Sequence, residues 1–298
     1  MSRTPSPVRD ALGVAVAWLL LSDACYAVMR VTTRMTAEVA PLPWAQIAAF
    51  RFLVGALVPL GAALLRGTSL RVNDTRNAWL RSLFGTGGGL ALFYALGTHA
   101  LPVGDATTLY STAPLWVALL AAPILGESVG RTVWIAVAMG FVGVATLLHQ
   151  GFSSVGPTGL IVLAGACSYA IAILRVRRMS ANESSEAIGL HMSLTAGVVL
   201  LILALPDLRP IPREAWPPLI LSALSGGLGQ AVFARAYAHG AASRLAAFSY
   251  AGVLFTYLLE VALFGRVPAA HQFIGAGLIV AAGVMVSVAA ARRSNRVA

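Results

Sequence analysis

From Gly87 to Gly126 the only formally charged side chain is Asp105, and the stretches on either side of it are long, apolar and unbroken. A helix needs about 20 mainly apolar residues to cross a bilayer. Runs of that length recur along the whole chain, without the alternation that a membrane barrel would show. Soluble domains carry about 25% charged residues; this chain carries 11%, with 58% hydrophobic. Lipid is therefore the expected solvent, and in lipid continuous apolar runs satisfy their backbone as helices.

Ten segments qualify as spans: 11–30, 43–65, 79–99, 104–125, 131–149, 156–175, 187–205, 215–238, 242–264 and 270–291. The connections are short, the longest polar ones being Arg66–Asn77 and Arg177–Glu186. Trp44, Trp79, Trp134 and Trp216 stand near span starts, where indole rings anchor at the interface. Pro41, Pro43, Pro217 and Pro218 stand at or near helix starts, where a missing N–H costs nothing. All 21 basic residues are arginine. With the N-terminus placed inside, the inner segments hold Arg3, Arg9, the run Arg66, Arg71, Arg76 and Arg81, then Arg131, Arg175, Arg177, Arg178 and the C-terminal arginines. The outer segments hold fewer: Arg30, Arg34, Arg209, Arg213 and Arg266. Both termini are thus expected in the cytoplasm.

The stretch Gly87–Glu127 has a blurred copy in Gly226–Arg266: Gly87 falls on Gly226, Ala95 on Ala234, Leu115 on Leu254 and Gly126 on Gly265. Span six echoes span one, with Ala24–Met35 resembling Ala166–Met179. Ten spans divide into five and five, over 11–149 and 156–291, and an odd number of crossings turns the second half upside down. The expected fold is an all-α integral membrane protein of ten transmembrane helices in two inverted five-helix repeats. Many secondary transporters follow this plan, with the substrate site near the midplane between the halves.

Several classes are disfavoured. The net charge of +10 comes from arginines between apolar runs, which reads as topology; no basic, aromatic-interleaved surface is available for a nucleic acid. Cys25 and Cys167 lie within apolar runs and read as small buried hydrophobes. The N-terminal apolar run continues past Leu21 to Val31 with no clear small-residue cleavage site, so it reads as a retained span. The histidines are not at metal-ligand spacing, and a P-loop needs a lysine that the chain lacks. No metal, no cofactor and no nucleophile–base pair is expected.

"LPVGDATTLYSTAPLWVALLAAPILGES" (Leu101–Ser128), followed by "GFVGVATLL" (Gly140–Leu148), resembles the EamA domain of the drug/metabolite transporter superfamily. Ala246–Val284 is similar to a second EamA domain, and "AAFRFLVGAL" (Ala48–Leu57) resembles the family's second span, including its arginine, here Arg51. Two departures stand out. Ser22-Asp23-Ala24-Cys25 replaces a Trp-Gly-Ser-Asn-like stretch in span one, and Gly265-Arg266 replaces the second-half Gly-Glu. The resemblance implies export, or sometimes import, of small metabolites such as amino acids. It also implies a central cavity lined by spans 1, 3, 4, 6, 8 and 9. The wording of the second half is similar to members linked to riboflavin or S-adenosylmethionine.

Asp23 is the sharpest candidate, because a carboxylate inside a span is expensive and by default marks a pathway. It would bind a substrate amine or a coupling proton, or else partner an arginine such as Arg51. Glu260 is either a second coupling carboxylate or a snorkelling interfacial one. Arg235 either grips a substrate carboxylate or pairs with Asp23 or Glu260. Gly226, Gln230, Phe233 and Tyr237 share a face of span eight at helical spacing, and their mates in span three are Gly87, Ala91, Tyr94 and Thr98. With Tyr26, Tyr110, Tyr169 and Tyr250 they offer an aromatic, hydrogen-bonding pocket; each ring taken singly is as readily a packing residue. Gly85 and Gly89 form a GxxxG, read as close helix packing. Pro114 is expected to bend span four, and Glu127 to cap or pair at the cytoplasmic face, with Arg131 in reach.

The reading is a secondary active transporter of a small organic metabolite, embedded in the cytoplasmic membrane, with export favoured. The alternatives are uptake of riboflavin- or S-adenosylmethionine-like cofactors, or a non-transporting membrane subunit. Its partners are the substrate and the bilayer, with no nucleic acid; the sequence leaves a homodimer open.

Overall fold

The computed structural model describes residues 8–97, 109–127, 129–148, 156–265 and 269–295. Among them every regular element is helical. In order these are α1 (Val8–Val39), α2 (Trp44–Gly55), α3 (Leu57–Arg66), α4 (Thr75–Gly97), α5 (Ala113–Leu125), α6 (Arg131–Leu148), α7 (Pro157–Met179), α8 (Ser185–Ala204), α9 (Trp216–His239), the short α10 (Ala242–Leu245), α11 (Ala251–Phe264) and α12 (Ala270–Asn295). Among the described residues, five helical segments are long and apolar enough to cross a membrane: Leu12–Val39, Trp44–Arg66, Pro157–Met179, Ser185–Asp207 and Arg213–His239. Shorter apolar helices cover Ala113–Leu125, Arg131–Thr146, Phe248–Leu263 and Ala270–Val286.

Several spans differ from their sequence bounds. The first runs to Val39, not to residue 30, so Arg30 and Arg34 ride on α1 and do not belong to an outer loop. Span 43–65 breaks at Ala56 into α2 and α3. Pro59 lies one turn beyond Gly55; it has no N–H to offer the Gly55 carbonyl, and its ring crowds the preceding turn. Pro114 occupies the first turn of α5, where it is tolerated. The interruption therefore lies ahead of it, at Ser111–Thr112, where the Thr112 N–H turns back to the Leu109 carbonyl at 3.1 Å. The second half is interrupted in the corresponding place. After α10, a single 3-10 turn over Phe248–Tyr250 leads into α11. Gly126 and Gly265, matched in the sequence repeat, end α5 and α11 with φ of 71° and 63°, a left-handed backbone that glycine adopts without strain.

Helix pairing repeats between the halves. α1 packs most extensively on α9, and α4 on α7; with span one matched to span six and span three to span eight, these are one contact made twice. The next correspondence is α1 on α11 against α7 on α5. α2 on α8 and α6 on α12 each join matched spans. Lipid supplies no hydrophobic drive between helices, so small residues set these seams. A Cβ on Gly88 would stand 2.9 Å from the Gly165 carbonyl oxygen and from the Tyr169 Cβ, and one on Gly227 would overlap the Gly55 carbonyl. Among the described residues, a Cβ on Gly89 would meet nothing within 4 Å beyond its own helix backbone. The close approach of α4 thus runs through Gly88, not through the 85–89 pair.

Polar contacts close the helix ends. At one end Glu186 of α8 joins Arg66, at 3.0 Å, and Arg235 of α9. Glu183 accepts the Asn73 and Asp74 amides, each at 2.8 Å. At the same end Glu127 accepts from the Ala242 and Ser243 amides and the Ser243 hydroxyl, and faces Arg177 at 3.7 Å. It therefore caps α10 and pairs across the repeat; Arg177, not Arg131, is its arginine. At the opposite end Gln46 brackets Arg209, accepting its amide at 3.0 Å and donating to its carbonyl at 2.6 Å.

Candidate functional site

Two seams bring polar side chains into the interior. On α1, Ser22 donates to the Gly229 carbonyl at 2.9 Å, and Tyr26 donates to Gln230 Oε1 at 2.6 Å. Gly229 makes room for the Tyr26 ring, as Gly88 does for Tyr169 on the other seam. The two tyrosines correspond in the echo of span one by span six. Tyr169 stacks on Tyr110 with centroids 5.6 Å apart, and Tyr26 meets Phe233 edge-on at 6.4 Å. Phe233 in turn lies 4.7 Å from the Tyr237 ring. Tyr26, Tyr110 and Tyr169 keep intermediate exposure although protein surrounds each of them.

The charged members are set among these rings. Asp23 is 7% exposed, and its Oδ2 has no hydrogen-bond partner. Its other oxygen lies against Gly252, at the start of α11 beside the interruption. Arg30, two turns along α1, donates to the Gly252 carbonyl at 3.1 Å and to Thr256 at 3.0 Å, and is near enough to act on the Asp23 carboxylate. Arg51 is 8% exposed; it donates to the Met29 sulfur at 3.0 Å, its guanidinium lies 3.7 Å over the Phe52 ring, and its Nε is unpartnered. The expected alternative of an Asp23–Arg51 pair is not formed: the arginine that acts on Asp23 is Arg30.

Arg81 is the residue that sequence reasoning missed, since it was counted with the loop arginines. It is 3% exposed in the second turn of α4, with Nε and Nη1 unpartnered. Helical side chains lean toward the N-terminus of their helix, so a snorkelling Arg81 would reach back to the interface. It lies instead over Gly85, one turn deeper, within electrostatic reach of Tyr169, Tyr26 and Tyr110. The sequence carries only a partial signal: Gly85 stands one turn after Arg81 on the same helix face, with no side chain to bar the guanidinium.

The other candidates lie elsewhere. Arg235 is held by Glu186 and stands over the Trp18 ring at 5.6 Å. Glu260 pairs with Arg34 at 3.1 Å, and Arg34 also holds Glu38 at 2.7 Å. Tyr250 is 1% exposed with its ring against Gly140 of α6. Tyr94 lies late on α4 and is 44% exposed. Thr98, the Asp105 turn and Arg266 fall outside the described residues. Among the described residues, no group of His, Cys, Asp and Glu could hold a metal ion.

The profile of the EamA-like transporter family matches the chain twice, over residues 13–148 and 157–288. The chain is 24% identical to the riboflavin transporter of Vibrio cholerae, over 99% of this chain and 98% of that one. It is 27% identical to the pseudopaline exporter CntI of Pseudomonas aeruginosa, over 94% and 98%. It is also 28% identical to the uncharacterized inner membrane transporter YedA of Escherichia coli, over 83% and 82%. A protein of known crystal structure superposes with a TM-score of 0.81 at 22% identity, over 93% of this chain and 98% of that one; that likeness speaks to the fold alone.

Proposed function

The chain belongs to the EamA-like transporter family, a multi-pass membrane protein of the drug/metabolite transporter type, and from that premise we propose that it is a secondary active transporter exporting a small organic metabolite by alternating access. The observation that carries this is the interior cluster itself. Tyr26 and Arg81 come from the first half, Tyr169 and Gln230 from the second, so the cluster lies where two halves would rock about a substrate. The halves are proposed as inverted five-helix repeats over 11–149 and 156–291, ten spans in all, with both termini in the cytoplasm. The recurring helix pairs and the matched interruptions before α5 and α11 support this. Asp23, buried beside Gly252, is the proposed coupling group; Glu260, tied to Arg34, is the weaker one. Tyr26, Tyr110, Tyr169 and Gln230 are proposed to touch substrate, with Tyr94, Arg235 and Tyr250 as outlying members of the set. A second reading, uptake of a riboflavin-like cofactor, is favoured by the similarity to the riboflavin transporter of Vibrio cholerae.

The test is flux through purified protein in liposomes, with riboflavin and a panel of amino acids loaded inside or outside. Saturable flux that a second substrate accelerates by exchange supports a carrier. No flux of any compound above protein-free liposomes would leave the non-transporting subunit as the reading.

A further inference from the structure

The geometry points to a cargo that is an organic anion, a carboxylate or phosphate attached to a flat unsaturated body, with Arg81 and Arg51 as its charge-recognising residues. This rests on the transport reading above and names the substrate class of that same site.

An arginine does not shed its proton in a protein, so it cannot escape burial by becoming neutral. Buried charge is costly unless it is paired. Arg81 has unpartnered nitrogens and, among the described residues, no ion-pair partner. Arg51 has a sulfur and an aromatic face as neighbours, with Nε unpartnered. Neither contact supplies a negative charge. Among the described residues the cluster holds one carboxylate, Asp23, and Arg30 is the arginine that acts on it. The remaining positive charge is uncompensated, and a bound anion would compensate it.

The position of Arg81 argues against the plain alternative of an interfacial arginine. Its guanidinium lies deeper than its own Cα, over Gly85, where a side chain would exclude it. Three phenols, Tyr169, Tyr26 and Tyr110, lie within electrostatic reach of it, and the Met192 side chain packs over Gly85 beside it. Planar rings pack against a flat solute, and a guanidinium takes a carboxylate or phosphate through two parallel hydrogen bonds. Ser82 and His191, joined at 2.8 Å, and the Trp79 edge on the His191 ring pack α4 against α8 on the neighbouring side.

Matched pairs of probes isolate the charge: flavin mononucleotide against riboflavin for phosphate, and indole-3-acetate against indole-3-acetamide for carboxylate. Binding to the purified full chain is measured by thermal stabilisation, and transport by competition in liposomes. The anionic member of at least one pair is expected to bind about tenfold or more tightly than its neutral mate, the scale of a charge-assisted hydrogen bond. Which pair shows the preference tells phosphate from carboxylate. In Arg81→Gln the ratio is expected to fall toward one, and Arg81→Lys should keep it on the anion's side. If Arg81→Gln gives no folded protein, the ratio in the unsubstituted chain decides alone. Equal or tighter binding of the neutral mates overturns the inference and leaves the transport reading standing. Failure of every probe to bind or move overturns the inference and counts against the transport reading as well.

Discussion

Tyr26 on α1 donates its phenol hydrogen to Oε1 of Gln230 on α9 across 2.6 Å, joining residues more than two hundred positions apart. The bond lies on the most extensive helix seam among the described residues and at the edge of the proposed substrate site. Tyr26→Phe and Gln230→Ala are each expected to destabilise the folded protein, with a coupling of about 0.6 kcal/mol between them, the average for interhelical hydrogen bonds in membranes. A double-mutant cycle by denaturant unfolding in mixed micelles measures it, and strictly additive losses would show that the pair is not coupled.

Neighbouring glycines on α4 are predicted to behave oppositely. Gly88→Val would drive a side chain into the Gly165 backbone and is expected to cost about 1–3 kcal/mol, as overpacking does. Gly89→Ala meets open space and should raise stability slightly or leave it unchanged, since alanine is the better helix former. Unfolding temperatures of the two variants side by side give the answer. Equal losses would contradict the helix pairing described above.

Asp23 is predicted to carry the coupling proton. Asp23→Asn should abolish accumulation of cargo against its gradient when a pH difference is imposed on liposomes, while exchange of cargo for cargo continues. Undiminished pH-driven accumulation would reduce Asp23 to a structural partner of Arg30.

Glu127 ties the end of α5 to the start of α10, and alternating access requires that tie to open and close. In a background with Cys25 and Cys167 replaced, Glu127→Cys with Ser243→Cys is expected to cross-link under oxidation and stop transport. Reduction should restore it. Full transport by the cross-linked protein would mean that this end of the molecule does not move.

Asp74, in the loop before α4, accepts the Asn77 side-chain amide at 2.6 Å and its backbone N–H at 3.1 Å, and these bonds hold the carboxyl below its ordinary range. A carboxylate lowered in the folded state adds stability above its unfolded pKa, about 3.9, and that stability is lost as pH falls through the folded value. Asp74→Ala is expected to cost about 1 kcal/mol near neutral pH, as loss of an N-cap does. The gap between variant and parent should close below about pH 4. A gap that persists undiminished into strong acid would mean that the charge of Asp74 is not what the cap uses.

The sequence by itself determined the solvent, the helical class and the family, because composition and run length depend on residues one at a time and need no knowledge of neighbours. It also carried the repeat: Gly126 and Gly265 matched in sequence, and both prove to end helices with left-handed backbone. It could not say which way each helix turns. In a soluble protein a polar face shows the outside, but in lipid both faces of a span are apolar, and rotation is set by where small residues let backbones meet. Gly88 and Gly89 read alike until α7 is laid against one of them. Arg76 and Arg81 likewise read as two arginines at a helix start; only the packing of α4 against α7 and α8 buries Arg81 while Arg76 stays exposed. Tertiary structure also assigned the ion pairs, giving Glu260 to Arg34, Arg235 to Glu186 and Glu127 to Arg177. Each of these joins segments well apart in the chain, and charge pairing acts over distances in space that the order of residues does not contain.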